Sequence, residues 1–70
     1  MTFFTYILKS KVTNKHYYGY CSDLEIRLAD HNGGKVKYTK PFRPWYIHYF
    51  EEFDSKTEAI KRGNFFKSID

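Results

Sequence analysis

The feature that most constrains this chain is an abrupt change of periodicity at residues 21–22. The segment K-H-Y-Y-G-Y-C (15–21) is aromatic and β-prone. From Ser22 the sequence S-D-L-E-I-R-L-A-D-H-N sets Leu24 and Leu28 one helical turn apart among charges. Ser22 and Glu25 have capping-box spacing, so the helix is expected to start there. Arg27 and His31 are four residues apart and therefore share a helix face. A tight strand-to-helix turn brings Tyr17 of the preceding strand toward that face. A phenol, a guanidinium and an imidazole are thus expected to converge.

Around this junction the chain reads as strand, strand, helix, strand, helix. Thr2 to Ser10 is apolar on both faces, with Phe4, Tyr6 and Leu8 on one and Phe3 and Ile7 on the other, as suits a central strand. Thr13 and Asn14 favour a turn, and His16 to Cys21 forms the second strand. Gly19 inside that strand marks a bulge or a close approach by a helix or a phosphate. Asn32-Gly33-Gly34 stops the helix, with a glycine in the left-handed conformation. Pro41 and Pro44 keep the next segment from becoming helical. Trp45 to Phe53 is the third strand, placing Trp45, Ile47 and Tyr49 on one face and Tyr46, His48 and Phe50 on the other. Asp54 or Ser55 caps a last helix, where Ser55 and Glu58 repeat the box spacing and Ala59, Ile60, Phe66 and Ile69 form the apolar side. The expected fold class is α+β: one domain, 1–70, with a three-stranded antiparallel sheet flanked by helices in the order β-β-α-β-α.

Seventy residues bury only about 60% of the surface that their unfolded chain exposes, so the core must be efficient. Seven Tyr, seven Phe and one Trp provide that, each ring burying roughly 150–250 Å². One cysteine, Cys21, excludes an internal disulfide and a cysteine-based zinc cluster, and makes a reducing, cytoplasmic setting the default expectation. The N-terminal apolar run has no basic flank and is far shorter than the about 20 residues of a membrane span, so a soluble, unprocessed chain is expected. The net charge of +4 points to a polyanionic partner. Its distribution points the same way: K-V-K-Y-T-K-P-F-R (35–43) holds four cations and two aromatics without an acid, whereas Glu51, Glu52 and Asp54 are acidic. Lys35, Lys37, Lys40 and Arg43 are the candidate nucleic-acid contacts, with Tyr38 or Phe42 stacking on bases.

The ordered set of Tyr6, Tyr17, Gly19, Arg27, His31 and this loop resembles the GIY-YIG nuclease family, in particular its small single-domain members. Phe4-Thr5-Tyr6 keeps the tyrosine of the first motif, and Tyr17-Tyr18-Gly19 keeps the outer tyrosine and glycine of the second. S-D-L-E-I-R-L-A-D-H-N, K-Y-T-K-P-F-R-P-W and S-K-T-E-A-I-K-R are similar to the corresponding stretches of such members, and the resemblance covers nearly the whole chain. It implies Mg²⁺- or Mn²⁺-dependent hydrolysis of phosphodiesters in DNA, structure-directed or nonspecific, in repair, recombination or the handling of foreign DNA. It implies further that Tyr17 deprotonates or orients water, that Tyr6 and His31 hydrogen-bond around it, and that Arg27 holds the phosphate; a monomer is expected.

One position departs from the pattern. The family's metal-binding glutamate falls on Gly63, so no metal ligand is intact. Gly63 is anomalous in its own right, since a glycine inside a helix costs about 1 kcal/mol relative to alanine. Either close packing on the sheet or replacement of another residue accounts for it. Two other readings stand beside the enzyme: a non-catalytic nucleic-acid-binding module using residues 35–43, and a protein-interaction domain using exposed aromatics. Without the resemblance, Tyr6 and Tyr17 read as packed aromatics, Arg27 as a solvated partner of Asp23 or Asp30, and His31 as a favourable charge at a helix C-terminus.

Overall fold

A computed structural model describes residues 1–69. It contains β1 (Phe3–Ser10), β2 (His16–Cys21), α1 (Leu24–Asn32), a single 3₁₀ turn (Lys40–Phe42), β3 (Trp45–Phe53) and α2 (Lys56–Ile69). The sheet is antiparallel in the order β2-β1-β3, so the strand that is apolar on both faces is the central one. Tyr6 lies opposite Gly19 and Phe50, and Leu8 lies opposite Tyr17 and Ile47. The two-residue period therefore puts Phe4, Tyr6 and Leu8 on one face with Tyr17, Gly19 and Cys21.

That face receives α1 and the basic loop. Leu24, Leu28 and Phe42 pack on a core of Tyr6, Leu8 and Trp45. The other face receives α2: the Thr5 hydroxyl donates to the Ala59 carbonyl at 2.7 Å, and the Tyr18 ring centroid is 6.4 Å from that of Phe66. On β3 the expected faces hold only as far as Ile47. Ile7 pairs with Tyr49 and Leu8 with Ile47, leaving His48 as an extra residue. This bulge inverts the alternation beyond it. Tyr49 consequently packs on Phe66 of α2, whereas Phe50 meets Phe4.

The start of α1 is displaced by one residue from expectation. Asp23, not Ser22, is the N-cap; its backbone is extended and its carboxylate accepts the Ile26 N–H at 3.0 Å. A carboxylate in that position also complements the positive end of the helix. At the other end Gly33 stays right-handed, and Gly34 takes the positive φ of 80°. On α2 the Ser55–Glu58 spacing does form a cap: Ser55 Oγ accepts the Glu58 N–H at 3.2 Å and donates to Glu58 Oε1 at 3.3 Å.

The segment 35–43 runs between two anchors. The Asn32 amide clips the backbone of Trp45, donating to its carbonyl at 3.0 Å and accepting its N–H at 2.6 Å. The Trp45 indole N–H donates to the Thr39 carbonyl at 2.8 Å, and the Ser10 hydroxyl donates to the Phe42 carbonyl at 2.8 Å. Pro41 falls in the first turn of the 3₁₀ segment, where its missing N–H costs nothing.

In α2, Ala59, Gly63 and Phe66 are buried, but Ile69, expected on the apolar side, is 66% exposed. A Cβ built on Gly63 would meet only Thr5 Cγ2, at the ordinary contact distance of 3.8 Å. Packing therefore does not demand glycine here. Gly63→Ala is expected to stabilise the fold by about 1 kcal/mol through helix propensity, seen as a higher urea midpoint at unchanged slope. A lower midpoint would show that the contact with Thr5 tolerates no side chain.

Candidate functional site

Four of the residues singled out in the sequence meet around one phenol. Tyr6 is 1% exposed and projects from the centre of the sheet toward α1. Its hydroxyl is 3.1 Å from His31 Nε2 and accepts from Arg27 Nε at 3.3 Å. Residues one turn apart on α1 thus bind the same oxygen. Gly19 makes this possible: a Cβ there would stand 2.6 Å from the Tyr6 hydroxyl oxygen and 2.8 Å from its ring. The close approach expected at Gly19 is that of the cross-strand Tyr6 ring.

The direction of each hydrogen bond follows from its neighbours. Thr39 Oγ1 donates to the Val36 carbonyl at 3.3 Å, so it can only accept from His31 Nδ1, 2.8 Å away. Nδ1 therefore carries the imidazole proton, and bare Nε2 accepts from the Tyr6 hydroxyl. The Tyr6 oxygen in turn accepts from Arg27. The series Arg27, Tyr6, His31, Thr39, Val36 is satisfied at every step without a charge on either ring.

Electrostatics agree with that assignment. Burial lowers the His31 pKa to about 4, helped by the Arg27 charge, and Asp30 opposes the shift only in part. Burial raises Tyr6 to about 12 against the opposing Arg27 hydrogen bond. Both rings are neutral near neutral pH. The hydrogen bond to Tyr6 holds Arg27 more firmly protonated, and burial pushes the Cys21 thiol up, which keeps it from serving as a thiolate.

Tyr17 is placed differently. Its ring lies 4.8 Å from that of His31 and 5.9 Å from that of Tyr38. Among the described residues no protein group hydrogen-bonds its hydroxyl. A cleft of about 290 Å³ opens at this point, lined by Tyr6, Tyr17, Tyr18, Gly19, Tyr20, Arg27 and Lys67. It wraps around the free edge of β2, so it draws residues from both faces of the sheet.

The four loop cations divide. Lys35 Nζ is 3.5 Å from Asp30, and Arg43 donates to the carbonyls of Lys40, at 2.8 Å, and Asn32, at 3.5 Å. Arg43 thus braces the loop. Lys37 and Lys40 are exposed and, among the described residues, have no carboxylate partner. Tyr38, 54% exposed, belongs to the same segment and lies against Tyr17.

The GIY-YIG catalytic-domain family matches residues 2–68. The chain belongs to that family. It is 48% identical over 60 residues to the UPF0213 protein SH2523 of Staphylococcus haemolyticus, covering 84% of this chain and 72% of that protein. It is 42% identical over 67 residues to the UPF0213 protein YazA of Bacillus subtilis, covering 94% of this chain and 67% of that protein. A solution NMR structure of the UPF0213 protein BH0048 from Bacillus halodurans aligns with a TM-score of 0.59 at 32% identity, over 100% of this chain and 74% of the other. The β-β-α-β-α arrangement is shared, and the GIY-YIG domain is a nuclease-type fold acting on nucleic acid.

Such a fold implies a divalent cation, and the residues here do not fit one. Among the described residues no three His, Cys, Asp or Glu side chains come together to hold a metal. Among the described residues the cleft is lined by no carboxylate, and Asp30 is committed to Lys35 and, at 3.9 Å, to Arg27. At Gly63, the expected ligand position, there is no donor, and hard cations such as Mg²⁺ take oxygen ligands. No helix among the described residues is long and apolar enough to cross a membrane.

Three contributors were not singled out from the sequence. Thr39 fixes the tautomer of His31, and Asn32 and Trp45 hold the loop that carries Thr39. Thr39 in K-Y-T-K looked like any loop residue, and only its complete burial marks it out.

Neutral, buried His31 implies a pH dependence. Its folded pKa of about 4 lies below the ordinary 6.5, so its contribution is complete above pH 6.5 and unfolding takes up a proton below that. Stability is expected to fall between those two values by up to about 1.4 kcal/mol per pH unit, and His31→Gln to flatten that slope. Urea midpoints measured across the interval check it; equal slopes for the two proteins would contradict the assignment.

Proposed function

We propose that this domain binds the phosphodiester backbone of DNA at the Tyr6–Tyr17–Arg27–His31 site, as an endonuclease-type domain whose hydrolytic step is impaired by Gly63. The observation that carries this reading is the fixing of Arg27. With Nε spent on Tyr6 and Nη1 lying 3.9 Å from Asp30, the guanidinium is held at the cleft, and its remaining N–H donors suit a phosphate's oxygens. The Tyr17 hydroxyl beside it has no protein partner among the described residues and is available to hydrogen-bond a phosphate oxygen or a water molecule aimed at phosphorus.

Tyr6 and His31 have a different part in this scheme. Both are buried and mutually satisfied, so they act as positioning residues that hold Arg27, and they make no contact with substrate themselves. In hydrolysis, water adds to phosphorus, the bond to the leaving oxygen breaks, and negative charge grows on the phosphoryl oxygens. Arg27 faces that charge from a partly dehydrated position, where a fixed donor is most effective. Lys37 and Lys40 extend the positive surface along the backbone. A domain making mainly backbone contacts has little sequence preference. The class of role that suits it is structure-directed or nonspecific action on DNA in repair, recombination or foreign-DNA handling.

The test combines binding with nicking on plasmid, single-stranded and branched DNA. The chain as written is expected to bind and to cut feebly. Gly63→Glu should gain Mg²⁺- or Mn²⁺-dependent nicking, and adding Arg27→Ala should remove that gain by on the order of 100-fold. A folded Gly63→Glu protein that cuts no DNA or RNA would sink the hydrolytic reading. DNA affinity indifferent to Arg27→Ala would sink the binding site.

A further inference from the structure

Lys67 stands one turn beyond Gly63 on α2, on the same helix face, and borders the cleft that holds Arg27 and Tyr17. It is exposed, and among the described residues it has no ion-pair partner. A carboxylate four residues before a lysine on a helix forms a favourable pair with it. Glycine at position 63 offers neither that partner nor a carboxylate ligand for a metal. Among the described residues the cleft is lined by two cations from opposite sides of the sheet, Arg27 from α1 and Lys67 from α2, and by no carboxylate.

We propose that Lys67 and Arg27 form a two-armed clamp that binds a DNA phosphate without a divalent cation, the ammonium taking the place in the charge balance that a bound metal would otherwise fill. The clamp rests on the phosphodiester reading of the site and adds to it a second phosphate ligand and independence from metal. Arg27 supplies a planar fork whose orientation is set by Tyr6. Lys67 supplies a mobile point charge that can follow the phosphate around the β2 edge. Glycine at position 63 then does more than lose a ligand, because it keeps the ammonium unpaired.

The experiment is fluorescence anisotropy with a labelled DNA duplex, in chelator and in Mg²⁺, across a salt series. The protein as written is expected to bind at least as tightly in chelator as in Mg²⁺. Lys67→Ala should weaken binding in chelator roughly five- to tenfold at 0.1 M salt and reduce the slope of log K against log salt by about 0.9, the signature of one lost phosphate contact. Lys61→Ala, which removes the same charge from an exposed position outside the cleft lining, should change neither. Gly63→Glu should weaken binding in chelator by a factor similar to Lys67→Ala. If Lys67→Ala behaves like Lys61→Ala while Arg27→Ala still weakens binding, the clamp is overturned and the underlying site survives. Loss of binding in chelator also overturns the clamp, and indifference to Arg27→Ala overturns the clamp and the site together.

Discussion

The site depends on one shared oxygen, the buried hydroxyl of Tyr6, which joins the sheet to α1 by giving its proton to His31 and accepting one from Arg27. A phenol is suited to this because it can donate and accept at once. Burial enforces the arrangement, since the solvation lost by an ionised tyrosine or a protonated histidine outweighs what Arg27 returns to the one and Asp30 to the other. The guanidinium is therefore held at the cleft by two neutral rings behind it. Remove the phenol, and a buried histidine nitrogen and a guanidinium nitrogen both lose their partners.

A domain of this size has little interior with which to support such a network. Much of the support comes from the loop between α1 and β3, although a loop rich in lysine would ordinarily be loosely held. Asn32 and Trp45 close its two ends against each other, and Trp45 also binds the carbonyl of Thr39, whose hydroxyl receives the His31 proton. Positive surface and site geometry thus share one set of anchors. Lys37 and Lys40 are displayed by the same segment that fixes the imidazole.

Gly63 stands in the middle of α2 without any demand from packing. The backbone of α2 runs through it unbroken, and space for a Cβ is present. Among the described residues, the charged side chains that line the cleft are cations. The nuclease-type fold is retained, and among the described residues no three metal-ligating side chains come together within it.

Much of this protein was legible in the sequence, because local physics carries it. The period-two and helical patterns located β2 and β3 with the observed ends, and the apolar residues on both faces of β1 put it in the centre. The spacing of Arg27 and His31 put them on one helix face. Where the reading failed, the cause was a partner distant in the chain. The faces of β3 invert after His48 because of how that strand pairs with β1, which no pattern within β3 records. The α1 cap moved from Ser22 to Asp23, a choice between adjacent side chains that depends on where the turn from β2 delivers the backbone. Tertiary structure alone decided that Gly19 makes room for Tyr6, that Thr39 sets the proton on His31, and that Lys67 comes round the β2 edge to the cleft. Periodicity acts between near neighbours and so can be read from the sequence; burial and the direction of a hydrogen bond belong to groups that meet only when the chain has folded.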